Sequence, residues 1–184
     1  MKYFVVSDIH GSEYYAEKLI ELYKRENWDK ILLLGDVLYH GPRNDLPKGY
    51  GPKGVIKILN EYKKDIICIK GNCDAEVDQM VLDFSIMNDH IILKDPYHTI
   101  YMCHGHHENN DNPPLMNEDY ILLCGHTHVP CFDVHNDYIY MNPGSISIPK
   151  NNSYHGYMLI EDEKITWKDI DGNIRDKLIY KKRF

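Results

Sequence analysis

The sequence predicts an α/β protein in which two β-sheets pack face to face and helices lie on the outside. Strand-like runs alternate with amphipathic helical patterns through the first 70 residues, which indicates a sheet with parallel character. The second half instead carries short strand-like runs separated by turn residues, which indicates more β-structure. The 184 residues, 43% of them hydrophobic, fit one ordinary domain, and we predict a single domain over residues 1–184.

The first strand–helix unit begins at residue 2. Residues 2–6 (KYFVV) form a short apolar run, a polar loop follows, and Ser12 is a residue type that caps helices. The helix after it would carry its apolar residues on one side. These residues are Tyr15, Ala16, Leu19, Ile20 and Tyr23.

The same order of strand, polar loop and helix recurs along the chain. Residues 30–34 (KILLL) run into Gly35-Asp36, and a helical pattern resumes near Gly54 after a loop over residues 41–53 that is rich in Pro and Gly. Residues 66–69 then lead into Gly71-Asn72. Ligand sites in such sheets lie beyond the carboxyl ends of the strands, so these loops are where we expect a site.

The second half is predicted to contain mainly strands. Asn136-Asp137 and the surroundings of Asp162 are predicted hairpin turns. The predicted strands cover residues 91–93, 100–102, 120–124, 132–135, 138–140, 157–160 and 164–169.

Charge and cysteine content exclude several classes of function. The formal charge of −7 argues against broad binding of nucleic-acid polymers or anionic membranes, and no apolar run approaches the ~20 residues of a membrane span. Five cysteines, without a C-x-x-C pair, are expected to be free thiols. With no secretory signal pattern, we expect a cytoplasmic protein. The basic residues at positions 181–183 are expected to be solvated.

Potential metal ligands follow five strand-like runs. They are Asp8 and His10, Asp36, Asn72, His104, and His126 with His128. A single D-x-H pattern more often has no metal, but five such coincidences favour a site for Mn, Fe, Zn or a related divalent ion. Asp36 is the only carboxylate placed to lie between two clusters. Paired ions about 3.5–4 Å apart activate a bridging hydroxide and clamp a transferred phosphoryl group.

These residues also carry a family resemblance. The series Asp8-x-His10, Gly35-Asp36, Gly71-Asn72-x-Asp74, His104-Gly105-His106 and Gly125-His126-x-His128 is similar to the signature of the calcineurin-like metallophosphoesterases. Residues 38–44 (LYHGPRN), 71–80 (GNCDAEVDQM) and 142–150 (NPGSISIPK) resemble the YfcE-type bacterial phosphodiesterases. The resemblance implies a four-layer α/β/β/α sandwich and two divalent metal ions, most simply Mn, with Fe, Ni, Zn or Mg as alternatives.

The resemblance also implies roles for individual residues. One metal would take Asp8, His10, Asp36 and His128, and the other would take Asp36, Asn72, His104 and His126. The predicted catalytic residues are Asp36, Asn72, Cys73, Asp74 and His104. The predicted substrate-binding residues are His40, Arg43, Cys73 and His106; for His40 and Arg43 an ordinary surface position explains the sequence equally well.

Cys73 is where the sequence departs from the family pattern, which more often has histidine after Gly-Asn. A thiol is a weak hydrogen-bond donor and a poor general acid. It could be a nucleophile, although no partner base is evident nearby. It could instead be filler in a non-catalytic scaffold of the same fold, like the retromer subunit, or it could leave room for the second substituent of a diester. Because every ligand position is filled, we favour hydrolysis of small phosphodiesters with weak activity on monoesters. A homo-oligomeric contact is compatible with the expected sheet edges.

Overall fold

The computed structural model of the chain describes residues 1–181, so Lys182 and Arg183 of the expected basic tail lie outside the described residues. The helices are α1 (Glu13–Glu26), α2 (Pro52–Glu61) and α3 (Glu76–Gln79). The strands are β1 (Lys2–Val6), β2 (Lys30–Leu33), β3 (Ile66–Cys68), β4 (His90–Lys94), β5 (Thr99–Cys103), β6 (Tyr120–Leu123), β7 (Pro130–Val134), β8 (Tyr138–Pro143), β9 (Gly156–Glu161), β10 (Lys164–Asp169) and β11 (Ile174–Ile179).

The strands form two mixed sheets. One has the order β11-β10-β9-β1-β2-β3, with β1, β2 and β3 parallel and β9 antiparallel to β1. The other has the order β4-β5-β6-β8-β7, with β5, β6 and β8 parallel. The predicted hairpin turns at Asn136-Asp137 and Asp162 join the antiparallel pairs β7/β8 and β9/β10.

Helix α1 begins where the sequence predicts, because the Ser12 side chain accepts a hydrogen bond from the backbone N–H of Tyr15. Asn27 ends the helix in the left-handed conformation. The predicted apolar side of α1 is buried together with Val55 and Leu59 of α2, in a core that includes Phe4 of the first sheet. This layer therefore covers the outer face of the first sheet.

A second core lies between the two sheets. It contains Val5 and Leu32 from the first sheet, Met102 and Ile121 from the second, and the fully buried Trp167. Sheets that pack in this way exclude water from both inner faces, so each strand that contributes to the site is held from both sides.

The outer face of the five-stranded sheet is covered by the segment 104–119. Tyr101 donates a hydrogen bond to Glu108, Tyr120 donates one to the carbonyl oxygen of Pro114, and Met116 packs on the same cluster. The predicted α/β architecture of two mixed sheets flanked by helices is confirmed, and the layer over this second sheet consists of that loop segment. Strand β11 and the short helix α3 were not predicted. None of the helices within residues 1–181 has the length and apolar character required to cross a membrane.

Candidate active site

Five loops meet at the carboxyl ends of β1, β2, β3, β5 and β6. They bring six of the seven predicted metal ligands to within hydrogen-bond or ion-pair distance of another predicted ligand through their side chains. Asp8, His10, Asp36, His104 and His128 are each at most 2% exposed. The predicted convergence of these strand ends is therefore present.

Each of three buried imidazoles is oriented by a backbone carbonyl. Nδ1 of His10 lies 2.7 Å from the carbonyl oxygen of Tyr39. Nδ1 of His104 lies 2.6 Å from that of Leu34, and Nδ1 of His128 lies 2.6 Å from that of Ile148. Because a carbonyl oxygen only accepts, each Nδ1 carries a proton and donates it. The tautomer of the neutral ring then leaves a lone pair on Nε2, which is the arrangement of metal-binding histidines.

The three Nε2 atoms face one another and the carboxylates. Nε2 of His10 and Nε2 of His128 are 3.2 Å apart, and the latter is 3.2 Å from Oδ1 of Asp8. Nε2 of His104 lies 3.4 Å from Oδ2 of Asp36, which is also 3.6 Å from Nε2 of His10. Lone pairs this close repel one another unless a proton or a cation lies between them.

Oδ1 of Asp8 provides a direct test of whether a cation fits. When the His10 and His128 rings are neutral and protonated at Nδ1, no hydrogen-bond donor within residues 1–181 faces this buried oxygen, and a buried carboxylate without compensation is costly. Three groups of ligand atoms are close enough to hold an ion: Asp8 with His10 and His128, Asp8 with Asp36 and His104, and His10 with Asp36 and Cys73. The residues present therefore fit divalent metal ions.

Asn72 and His126 lie at the edge of this cluster. Oδ1 of Asn72 is 3.1 Å from Nε2 of His104. The His126 ring is half-buried with its centroid 5.1 Å from that of His104, and its backbone N–H donates to Oδ2 of Asp8 at 3.1 Å. In this arrangement the His126 ring lies near the ligands without joining one of the three tight groups.

In this cluster, burial and the neighbouring charged groups shift the pKa values of the side chains in opposite directions. Burial raises the pKa of Asp8, but hydrogen bonds with His10 and His128 lower it well below its ordinary value. Burial lowers the pKa of His104, but its hydrogen bond to Asp36 and the charges of Asp8 and Asp36 together raise it to about 9. Without metal, then, a proton on the imidazoles compensates the buried carboxylates.

Asp74, predicted as a catalytic residue, instead binds the backbone of the loops that carry the site. Its Oδ2 accepts the backbone N–H groups of Asp36 and Gly71, and its Oδ1 accepts that of Val37, all at 2.8 Å. The side chain is 5% exposed and lies outside the cleft, so it has no oxygen free for substrate. Asp74 is a positioning residue for Asp36 rather than a catalytic residue.

The site opens into a cleft. Its lining includes the predicted site residues His10, Asp36, Arg43, Asn72, Cys73, His126 and His128. The other lining residues are Gly41, Pro42, Asn44 and Lys150. Arg43, for which a substrate-binding and an ordinary surface position were equally open, lies in the same cleft as the ligands.

Cys73 lines this cleft directly beside Asp36. Its backbone N–H donates to Oδ1 of Asp36 at 2.7 Å, and its Sγ accepts from Nδ2 of Asn72 at 3.2 Å. Burial and the charge of Asp36 raise the pKa of the Cys73 thiol to about 12. The thiol is thus held neutral, which counts against a nucleophilic role.

His40 and His106 are not among the residues that line the cleft, and their role in substrate binding stays a prediction. The His40 ring packs against Tyr39 and Tyr50, with centroids 4.8 Å and 5.3 Å away. The His106 ring packs against His107 at 4.1 Å. Burial, followed by the charge of His104, lowers the pKa of His106 to about 4. The His106 ring centroid is also 5.5 Å from that of His104 and 6.1 Å from that of His126, so this imidazole lies beside two predicted metal ligands.

Residues 142–150 contain functional residues that the sequence analysis did not assign. The hydroxyls of Ser145 and Ser147 both donate to the carbonyl oxygen of Asp8 at 2.8 Å, and Nδ2 of Asn142 donates to that of Gly125 at 2.6 Å. They hold the loops that carry Asp8 and His126. The motif NPGSISIPK was visible as part of the family resemblance, but its contacts depend on the tertiary fold.

Comparison with known proteins places this geometry in a family. Residues 1–164 match the model of the calcineurin-like phosphoesterase superfamily domain. The chain belongs to the calcineurin-like phosphoesterase superfamily. It is 39% identical over 168 residues to phosphodiesterase YfcE of Escherichia coli K12, covering 90% of each chain, and 25% identical over 151 residues to phosphodiesterase MJ0936 of Methanocaldococcus jannaschii, covering 78% of this chain and 83% of that one.

Solved structures agree with this membership. The structure of YfcE, described as a phosphoesterase from E. coli, matches with a TM-score of 0.94 at 37% identity and covers 97% of this chain and 99% of that chain. Vps29 of Chaetomium thermophilum shares the fold, with a TM-score of 0.67 at 16% identity and full coverage of both chains. The predicted family resemblance is thus confirmed.

Proposed function

We propose that this member of the calcineurin-like phosphoesterase superfamily hydrolyses small phosphodiesters with the help of two divalent metal ions. The observation that carries the proposal is the buried cluster in which three imidazole Nε2 atoms each lie within 3.6 Å of an oxygen of one of two buried carboxylates. The 39% identity to a protein named a phosphodiesterase supports the choice of reaction.

In this proposal Asp36 is shared by two ions. Asp8, His10 and His128 would complete one site, and their tight grouping supports it. Asn72, His104 and His126 would complete the other; here His104 has the closest contact to Asp36, at 3.4 Å. A mixed set of imidazole and carboxylate ligands suits Mn, Fe, Zn and related divalent ions, and we propose Mn, with Fe, Ni, Zn and Mg as alternatives for the test.

When bound, such a pair of ions would supply Lewis acidity toward the phosphoryl oxygens and would activate water as the nucleophile. The residues of the chain hold this arrangement in place. Asp74 and the N–H of Cys73 fix the Asp36 carboxylate, and the carbonyls of Tyr39, Leu34 and Ile148 fix the imidazoles. Asn72 is exposed and lines the cleft, and in this proposal it would contact the phosphoryl oxygens.

In this proposal, Cys73 makes the site prefer diesters over monoesters. The neutral thiol is a weak donor, so a leaving group that needs a proton finds no good acid at this position. A monoester places two negative charges where a diester places one, and a thiol contributes little to binding the second charge. We therefore propose that monoesters are poor substrates.

The proposed partner of the site is a small phosphodiester. A cytoplasmic location remains part of the proposal and is supported by the five free thiols. A homo-oligomeric contact also stays a prediction, and a nucleic-acid polymer is not expected because of the formal charge of −7.

The direct test is a metal-resolved kinetic screen on the purified protein. After chelation and dialysis, hydrolysis of bis-p-nitrophenyl phosphate and of p-nitrophenyl phosphate is measured with Mn, Fe, Ni, Zn or Mg added separately. We expect metal-dependent hydrolysis of the diester that exceeds hydrolysis of the monoester. No activity on either ester with any ion would refute the enzyme and favour a non-catalytic scaffold of the same fold.

A further inference from the structure

The charged residues of the cleft divide into two groups. Asp36 is the acidic residue in the lining and belongs to the buried cluster. The other charged side chains there, apart from the histidines, are those of Arg43 and Lys150, both exposed. A protein with a formal charge of −7 thus presents two cations at the mouth of its cleft.

Arg43 is carried by a loop that packs directly on Cys73. Gly41 has φ +81, and a Cβ at this position would lie 3.1 Å from Sγ of Cys73, so the loop approaches the thiol as closely as a glycine allows. Nδ2 of Asn44 donates to the carbonyl oxygen of His40 at 2.8 Å and closes the loop around Arg43. The backbone under Arg43 is thereby held at the cleft.

Lys150 is carried by a different segment. Its backbone N–H donates to the carbonyl oxygen of His128 at 3.2 Å, and its own carbonyl oxygen accepts from the N–H of Ser153 at 3.0 Å. The cation is therefore tied to the loop of a predicted metal ligand. Within residues 1–181 neither Lys150 nor Arg43 forms an ion pair, so both charges are available to a ligand.

We infer that Arg43 and Lys150 form a cationic rim that binds an anionic group on the second substituent of the phosphodiester. This inference rests on the proposed function, because the single charge of the reacting diester is met at the buried cluster. The rim then has positive charge left for a second anion, either a carboxylate or a phosphate. Arg suits such groups because its guanidinium can donate two parallel hydrogen bonds.

The test uses three diesters that share one p-nitrophenyl leaving group. Their second substituent is 3-carboxyphenyl, 3-phosphonophenyl or 3-carbamoylphenyl, so the carbamoyl ester matches the carboxyl ester in shape without its charge. We expect the wild-type protein to show a lower KM for the charged esters. Because exposed charges are screened by salt, this preference should shrink at higher ionic strength. The carboxyl and phosphono esters distinguish the two kinds of anion.

The variants Arg43→Gln and Lys150→Gln should each lower the ratio of kcat/KM between charged and carbamoyl esters by about 1.5- to fivefold, the range of solvent-accessible charge contacts. The change should lie in KM, and Arg43→Lys should recover part of it. Lys57→Gln removes an exposed charge from α2, away from the cleft, and should leave the ratio at the wild-type value.

Two outcomes separate failure of this inference from failure of the proposed function. If the wild-type protein hydrolyses the carbamoyl ester but shows no preference for charged esters, or if both variants lower the rates for all three esters equally, the cationic rim is refuted while the phosphodiesterase stands. If none of the three esters is hydrolysed with any divalent ion, the proposed function itself is refuted.

Discussion

The backbone N–H of Cys73 donates a 2.7 Å hydrogen bond to Oδ1 of Asp36, so the residue that departs from the family pattern is in direct contact with the carboxylate proposed to bridge two metals. A change of the side chain at position 73 leaves this backbone contact available. The side chain at position 73 can therefore change while the backbone hydrogen bond to Asp36 remains.

Cys73→His should raise hydrolysis of monoesters relative to diesters. An imidazole can donate to the second phosphoryl charge and protonate a poor leaving group, and general acid catalysis contributes roughly 10²–10⁴-fold where it is needed. We expect the ratio of kcat/KM for p-nitrophenyl phosphate over bis-p-nitrophenyl phosphate to rise about tenfold or more. Cys131→His introduces the same side chain at an exposed cysteine outside the cleft and serves as control. An unchanged ratio in Cys73→His would mean that Cys73 does not set specificity.

Asp36→Asn should abolish diester hydrolysis. The amide keeps an oxygen for the N–H of Cys73 but loses the charge opposite His104 and His10, and several kcal/mol of metal-based stabilisation correspond to a loss of about a thousandfold or more. Activity is measured with saturating Mn, and circular dichroism verifies the fold. The exposed Asp45→Asn is the matched control. Retained activity in Asp36→Asn would contradict the two-metal assignment.

Asp74→Ala should weaken both stability and metal binding. Three backbone N–H groups, those of Asp36, Val37 and Gly71, lose their acceptor, and we expect the free energy of unfolding to fall by about 3 kcal/mol or more. Affinity for Mn should fall by about 10–100-fold, as for other residues that orient ligands. Urea unfolding and calorimetric titration measure the two effects, with Asp74→Asn expected to be intermediate. Wild-type Mn affinity in a folded Asp74→Ala protein would show that Asp74 does not position the site.

The metal-free protein should lose stability as the pH rises from 6.5 to 8. The folded pKa of His104 is raised to about 9, so its contribution is complete below the unfolded pKa of about 6.5 and is lost progressively as the pH approaches 9. Over this interval we expect the free energy of unfolding to fall by about 1–2 kcal/mol, before thiols titrate near pH ~8.5. Urea unfolding of the chelated protein at several pH values measures this fall in the free energy of unfolding.

Saturating Mn is the control for this pH dependence. An imidazole must lose its Nε2 proton to bind a metal through that atom, so bound Mn would replace the proton of His104 and its affinity should increase with pH. The fall in stability should then disappear or reverse. The same fall in His104→Gln would assign it to other groups.

The sequence predicted those parts of the fold that depend on local pattern. The Ser12 cap, the buried side of α1 and the strand ends at Asp36 and Asn72 follow from residue type and spacing. Strand β11 was missed because its residues are polar and mostly exposed, so it carries no apolar alternation. Its pairing with β10 is decided by tertiary contact.

The predicted metal ligands could be recognised from the sequence, whereas the residues that position them could not. Residue types that bind metals stand out directly after strands, whereas Asp74 looks like one more acidic residue until its three backbone partners are known. Lys150 follows a proline in an ordinary loop, and its place at the cleft depends on the contact of that loop with His128. For His40 the sequence left a surface position and a substrate-binding position equally open, and its packing on Tyr39 and Tyr50 depends on the tertiary fold.

Five of the predicted metal ligands have a backbone conformation that is unfavourable for residues other than glycine. Asp8, His10, Asp36, His126 and His128 all have positive φ, between 49° and 66°, a conformation that costs non-glycine residues about 1 kcal/mol or more each. Interactions within the surrounding fold must offset this conformational cost. Glycine at such a position would relieve it, so drift toward a more stable chain runs against retention of the ligands. Catalytic capacity in this protein would therefore persist only under selection for activity, and loss of turnover would be the easier evolutionary direction.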